Sequence, residues 1–273
     1  MNSPNYVKPN FPANAFKGTA LYYSRYRIPY PDALIEDLIS RVGIKDGDRL
    51  LDLASGPGRL AIPLSASFSE VVANDLEPEM IDEGMKEADK QGATNIRWVI
   101  GKSEELKEEP VSFKLITIGE AFHRLDQLVV SRQALRLLVP GGCLAVIGCY
   151  GITEGTEPWQ RIVAETVQKW TEQASPIRKM EPKPGSGPKH NRLVLQDAGF
   201  VNIEAYSFTK EHTWTVESIL GYLFSTSQCS KNALGAYSED FALDLRNQLL
   251  NFDSKEQYRA NMDCGYTIGR KPK

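Results

Sequence analysis

The sequence predicts a Rossmann-like α/β fold: a doubly wound, mostly parallel sheet of about seven strands with an antiparallel edge pair, carrying helical lid elements. Three observations predict it. Five apolar segments alternate with helix-like segments between residues 49 and 150. The fourth of them, FKLITIGEAF (113–122), is nearly all apolar, as a parallel strand covered on both faces should be. The first, RLLDLA (49–54), runs into a turn bearing Gly56 and Gly58 that opens a helix, and in such sheets ligands bind at the carboxyl ends of the strands.

Ahead of the first strand, ALYYSRYRIPYPDALIEDLI (20–39) places Tyr22, Tyr23, Tyr26, Tyr30, Arg25 and Arg27 before an amphipathic helix that starts at Asp32. Residues 16–30 have no strand partner and read either as a lid or as a packed N-terminal segment. After the glycine turn, residues 59–68 read as helix with Pro63 in its first turns, where proline is tolerated. EVVAND (70–75) is the second strand. PEMIDEGMKEADKQG (78–92) is an amphipathic helix with Pro78 at its start and Gly92 just past its end. Residues 95–101 form the third strand, 125–138 a helix that stops before VPGG, and 143–150 the fifth strand.

Past Tyr150 the alternation changes. A helix follows within 151–173, then a Pro/Gly-rich loop (180–191), a short helix (192–200), a long strand (201–215), two helices (216–230 and 239–252) and a last strand (258–271). The two late strands supply the antiparallel pair. The chain reads as a single domain, with 1–45 as an N-terminal cap, 46–151 as the ligand-binding core and 152–273 as a lid and sheet-completing region.

The 273 residues suffice to bury a full core. A net charge of −3 without a dense Lys/Arg block argues against a nucleic-acid partner. No stretch approaches the ~18 consecutive apolar residues of a membrane span. The first 18 residues lack the apolar segment of a secretory signal. Cys143, Cys149, Cys229 and Cys264 fit neither a zinc site nor a dense disulfide framework, so reduced thiols in a cytoplasmic protein are expected. His123, His190 and His212 form no metal-ligand pair at helical spacing, and no metal is expected.

The glycine turn also satisfies the dinucleotide fingerprint, with Ala61 in third place. Asp52 helps to choose between cofactors. A carboxylate beside the turn would repel a pyrophosphate. It would favour the ammonium and sulfonium of S-adenosyl-L-methionine; alternatively, it only caps the turn. Asp75, at the end of the second strand, fits a ribose ligand or a cap for the helix after it. Met80 sits one turn into that helix, beside an adenine or in the core. In GKSEEL, Ser103 and Glu104 fall where an adenine edge would lie, or at a solvated helix start.

The stretches LLDLASGPG, ANDLEPEM, GKSEEL, GEAFHRLD and LLVPGG, in this order, resemble the class I S-adenosylmethionine-dependent methyltransferases, more narrowly their small-molecule branch. The resemblance is specific over residues 50–151. It implies that Asp52, Ala54, Ser55, Gly56 and Gly58 wall the methionine side of the cofactor, and that Asp75 holds the ribose. It sets Leu76 and Met80 beside the adenine, Ser103 and Glu104 at its edge, and Glu120 to His123 nearest the methyl group. Tyr22 and Arg27 belong to the entry segment and are expected to reach the cofactor. Arg124 stands where the branch often has tryptophan. The expected activity is methyl transfer to an oxygen, nitrogen or carbon of a small metabolite. His123 would be the proton acceptor or substrate-orienting residue, and a homodimer is left open. The alternatives are an NAD-dependent oxidoreductase and a non-catalytic S-adenosylmethionine-binding regulator.

Overall fold

The computed structural model describes residues 14–175 and 185–273. Most of the stretch read for a secretory signal, and part of the Pro/Gly-rich loop, lie outside the described residues. Helices α1 (Ala20–Tyr26) and α2 (Asp32–Val42) precede the sheet. Strand β1 (Arg49–Leu53) leads through the glycine turn to α3 (Ala61–Ser65), β2 (Glu70–Asp75), α4 (Pro78–Gln91) and β3 (Ile96–Ile100). Then follow β4 (Phe113–Gly119), α5 (Gln127–Leu137), β5 (Leu138–Cys149), α6 (Pro158–Ala174), α7 (Pro188–Ala198) and β6 (Val201–Trp214). The chain closes with α8 (Val216–Phe224), α9 (Lys231–Leu234), α10 (Ser238–Phe252) and β7 (Tyr258–Arg270).

The seven strands form one sheet in the order β3-β2-β1-β4-β5-β7-β6. Neighbours among β1 to β5 pair in parallel, and β7 runs antiparallel to both β5 and β6. The predicted antiparallel pair is therefore present, with β7 inside and β6 at the edge. Strand order reverses between β1 and β4, which opens a crevice at their carboxyl ends.

Side chains alternate across the strands, and both faces are covered. Leu50, Val71, Leu115 and Ala145 pack with Leu34 and Leu38 of α2 and Leu64 of α3. Their neighbours Leu51, Val72, Ile116 and Leu144 pack on the other face with Val130 and Ala134 of α5 and Val194 of α7. A third apolar cluster fills the far ends of β6 and β7 and the helices over them, with Trp159, Trp214, Phe241 and Tyr258 at its centre. These tryptophans are core.

Three expectations are corrected. The segment VPGG does not separate α5 from β5. The chain passes from Leu137 directly into β5, whose pairing with β4 shifts register between Phe113 and Leu115. The helix predicted over residues 59–68 is confined to Ala61–Ser65. The four cysteines are not all reduced: Cys149 and Cys264 face each other across β5 and β7 and form a disulfide, while Cys143 and Cys229 are free and buried. Thiol usage thus no longer argues for a reducing cytoplasm. Among the described residues, no helix is long and apolar enough to cross a membrane.

Candidate active site

The crevice is built at the carboxyl ends of β1, β2 and β4. Two residues there, Ala54 after β1 and Glu120 after β4, carry left-handed backbone (φ 50° and 53°). That conformation is uncommon outside glycine and clusters at functional sites. The turn after β1 is fastened to β2 from both sides: Ser55 N donates to the Asn74 carbonyl (2.9 Å), and Gly56 N to Asp75 Oδ2 (2.7 Å). Asp75 Oδ1 accepts from Glu77 N (2.9 Å). Burial raises the Asp75 carboxyl above its ordinary range. A carboxylate has about four acceptor positions, so room remains for ribose hydroxyls.

Gly58 needs its glycine for a reason internal to the protein. Its φ is +81°, and a Cβ there would stand 2.7 Å from Cη2 of Trp98 on β3. The same indole fills the space a side chain would take at Gly84 of α4. Gly56 faces the cleft, with the nearest atom, Cε1 of Tyr23, 3.8 Å from a built Cβ.

Asp52 is buried. It accepts hydrogen bonds from Ala61 N at the start of α3 (3.1 Å) and from the Thr117 hydroxyl of β4 (2.7 Å). The capping contact weighed for it therefore exists, yet Asp52 also lines a partly open space. Burial, reinforced by Asp75, pushes its carboxyl up to about 7. That space, about 220 Å³, is bounded by Tyr23, Tyr30, Asp52, Ser55, Arg59 and Gly119. A buried carboxyl opposite a guanidinium, with no other cation on the wall, fits the zwitterionic end of S-adenosylmethionine. Two buried carboxyls at the turn do not fit a pyrophosphate.

A second space of about 360 Å³ adjoins it and shares Arg59. Arg59 Nη1 donates to Glu120 Oε2 (2.9 Å), Nη2 donates to the Ile28 carbonyl, and the guanidinium lies 4.6 Å from the centre of the Tyr30 ring. Arg27 lies between the rings of Tyr23 and Tyr222 (4.7 and 4.5 Å), donates through Nε to Ser225 Oγ (2.7 Å), and sits 3.8 Å from Glu120. Tyr222 and the Cys149–Cys264 bridge wall the same space.

Other predicted site residues are placed differently. Tyr22 turns away from the crevice and packs on Phe224 (5.4 Å), while Tyr23 is the residue that meets the turn. Met80 is buried and Leu76 exposed. The Ser103 hydroxyl donates to Asn74 Oδ1 (2.9 Å), so it faces inward, and Glu104 Oε1 accepts from Asp126 N (2.9 Å) at the head of α5. His123 lies half-buried in the short turn Phe122–Arg124 and lines neither space. Arg124 is driven down to about 10 by burial, with its guanidinium 4.4 Å from the Phe16 ring centre. The sequence had not singled out Arg59, Thr117 or Ser225; Tyr222 it had named among the late-helix aromatics, as core or as chamber lining. Arg59 alone carried a signal, as the one charge inside the glycine turn.

Comparison with known proteins agrees with this geometry. Over 198 residues the chain is 25% identical to an uncharacterized methyltransferase of Schizosaccharomyces pombe, covering 72% of this chain and 75% of that one. It is 25% identical over 190 residues to demethylmenaquinone methyltransferase of Staphylococcus aureus, covering 62% and 74%. The YcgJ protein of Bacillus subtilis shares the fold, with a TM-score of 0.57 at 16% identity over 89% of this chain and all of that one. The family model of the ubiE/COQ5 methyltransferases matches residues 34–178, which hold the glycine turn, both acids and the end of β4. With a turn suited to a zwitterionic cofactor, and that match over more than half its length, the chain belongs to the ubiE/COQ5 methyltransferase family and is an S-adenosylmethionine-dependent methyltransferase.

Proposed function

We propose that the protein methylates an oxygen, nitrogen or carbon nucleophile of a small metabolite. The observation that carries this is the pair of adjoining spaces that meet at Arg59. One suits the cofactor's amino-acid end, and the other is walled by Arg27, Arg59, Glu120, Tyr222 and the Cys149–Cys264 bridge, a mixed polar and apolar lining suited to a small acceptor. Among the described residues no basic groove adjoins it to suggest a nucleic-acid acceptor.

S-adenosylmethionine supplies an electrophilic methyl group when bound. The chain's residues position and enclose. Asp52 faces the ammonium and Arg59 the carboxylate. Asp75 holds the ribose, and the backbone around Ser103 and the Glu104 side chain flank the adenine. Glu120 keeps Arg59 and Arg27 in place at the end of β4. His123, three residues further on, lines neither space as the chain stands and would turn toward the acceptor to orient it or take its proton. Tyr23 stands over Gly56, so α1 swings it aside to admit the cofactor and closes again over it. Residues 152–273 supply the acceptor wall.

Calorimetry with S-adenosylmethionine and its demethylated product tests the cofactor half. Asp75→Ala is expected to weaken both about tenfold to hundredfold, since it removes two hydrogen bonds to the ribose. Unchanged affinity in that variant overturns the assignment. A transfer screen with methyl-labelled cofactor against metabolite pools tests the acceptor half. Labelling of macromolecules alone overturns the small-molecule reading.

A further inference from the structure

Lys210 lies on β6, opposite Met262 of β7. The two share one face of the sheet, and both line the 360 Å³ space. Lys210 is half-buried, and among the described residues no hydrogen bond or ion pair engages its ammonium. The other cations of that wall are committed: Arg59 to Glu120 and the Ile28 carbonyl, Arg27 to Ser225, Tyr222 and Glu120. The nearest acid on the paired strand, Asp263, pairs in register with Thr209 and accepts its hydroxyl proton (2.6 Å). Successive residues alternate across a strand, so Asp263 faces away from Lys210. Glu211, next along β6, also faces away. His212, two residues on, shares the Lys210 face; burial and Lys210 itself hold its imidazole below the ordinary value, so it brings no countercharge.

The wall thus carries Arg27, Arg59 and Lys210 against the single carboxylate of Glu120. Partly enclosed charge calls for a partner, and the described residues do not provide one. Lys210 does not line the smaller space that holds Asp52, so the cofactor's own carboxylate is not its partner. We propose that the larger space takes an acceptor bearing an anionic oxygen group, a carboxylate or a phosphate, and that Lys210 is the residue that selects it. The anion at Lys210 sets the far end of the acceptor, leaving its nucleophile toward Glu120 and the smaller space. This rests on the reading of the larger space as the acceptor site. It differs from the neutral quinone ring in the name of the S. aureus relative.

The test uses three probes of one size, benzoate, phenyl phosphate and the neutral benzamide. They are titrated calorimetrically into the full chain saturated with S-adenosylhomocysteine. At least one anion is expected to bind about tenfold or more tightly than benzamide, as a charge-assisted contact provides. Whichever anion is preferred identifies the group. Lys210→Met, which keeps the apolar stem, is expected to erase the preference, and Lys210→Arg to keep most of it. Far-UV circular dichroism confirms that both variants fold. Equal binding of the anions and benzamide, binding by none of the three, or a preference that survives in Lys210→Met overturns the proposal. In that last case Lys210 is only a stem covering apolar surface. Failure of the wild-type chain to bind S-adenosylhomocysteine in the preceding titration would overturn the cofactor assignment instead, so the two failures are distinct.

Discussion

The two halves of the cleft are held by different kinds of connection. In the cofactor half most links are short in sequence and end on backbone, the bond from Thr117 of β4 to Asp52 being the long one. Asp75 reaches Gly56 across 19 residues and Glu77 across 2, and Asp52 reaches Ala61 across 9. In the acceptor half the links are mostly side chain to side chain, and several join residues more than a hundred positions apart. Arg27 meets Ser225 across 198 residues and Tyr222 across 195, and Cys149 bonds Cys264 across 115. A site made of one βαβ unit's own backbone is a property of a motif. A site made of contacts between chain ends exists only once the sheet has closed with β7 between β5 and β6. The first kind suits a cofactor that does not vary. The second can be retuned by single side chains, as an acceptor site must be.

The largest effect that could break this contrast is loss of the disulfide. Closing a loop of that length stabilises a fold by about 2–5 kcal/mol. Reduction, or Cys149→Ser with Cys264→Ser, is therefore expected to lower the melting temperature by several degrees while leaving S-adenosylhomocysteine affinity within about twofold. A cofactor affinity that falls with the bridge would show that the halves are one unit.

Gly58→Ala probes the opposite half. Left-handed backbone and the approach to Trp98 together are expected to cost about 1–3 kcal/mol of stability. Trp98→Phe in the same chain should recover the steric part and not the backbone part. A Gly58→Ala protein that melts like wild type would mean that the glycine serves the cofactor alone.

His123→Ala and His123→Gln address the border. Both are expected to lower turnover at least about tenfold with cofactor affinity within about 1 kcal/mol. Turnover near wild type in both would assign His123 a structural part and leave Glu120 as the residue at that strand end.

A further effect is a pH dependence carried by Asp52. An unfolded aspartate releases its proton near 3.8, and burial keeps this one until about 7. Between those values the native chain holds a proton that the unfolded chain has lost, so stability falls as pH rises through the window. A cationic ligand favours the ionised carboxylate. Cofactor affinity should therefore rise toward pH 7, by at most about tenfold per unit, and level off above it. Asp52→Asn should flatten both profiles. A stability profile unchanged by that substitution would place the titration elsewhere.

Much of the cofactor half was legible because its physics is local. Gly56, Gly58, Asp52 and Asp75 sit at fixed offsets from the ends of two strands, and strand periodicity locates those ends. Legibility stopped where side-chain direction mattered. Tyr22 and Tyr23 are adjacent, and only the packing of α1 on α8 decides that Tyr23 meets the glycine turn. Gly58 looked like a cofactor residue, and its neighbour is Trp98, forty residues on. VPGG looked like a break, and pairing with β4 absorbs it into β5.

The sequence by itself determined the order of strands and helices, the turn and its two acids, and the kind of cofactor they admit, because alternation, capping and charge act over a few residues. Only the tertiary structure decided which cysteines meet, which tyrosine covers the turn, and where Arg27, Arg59 and Lys210 converge. Those outcomes depend on bringing β7 between β5 and β6 and α8 against α1. Such closures join residues more than a hundred positions apart, and a local pattern carries no record of them.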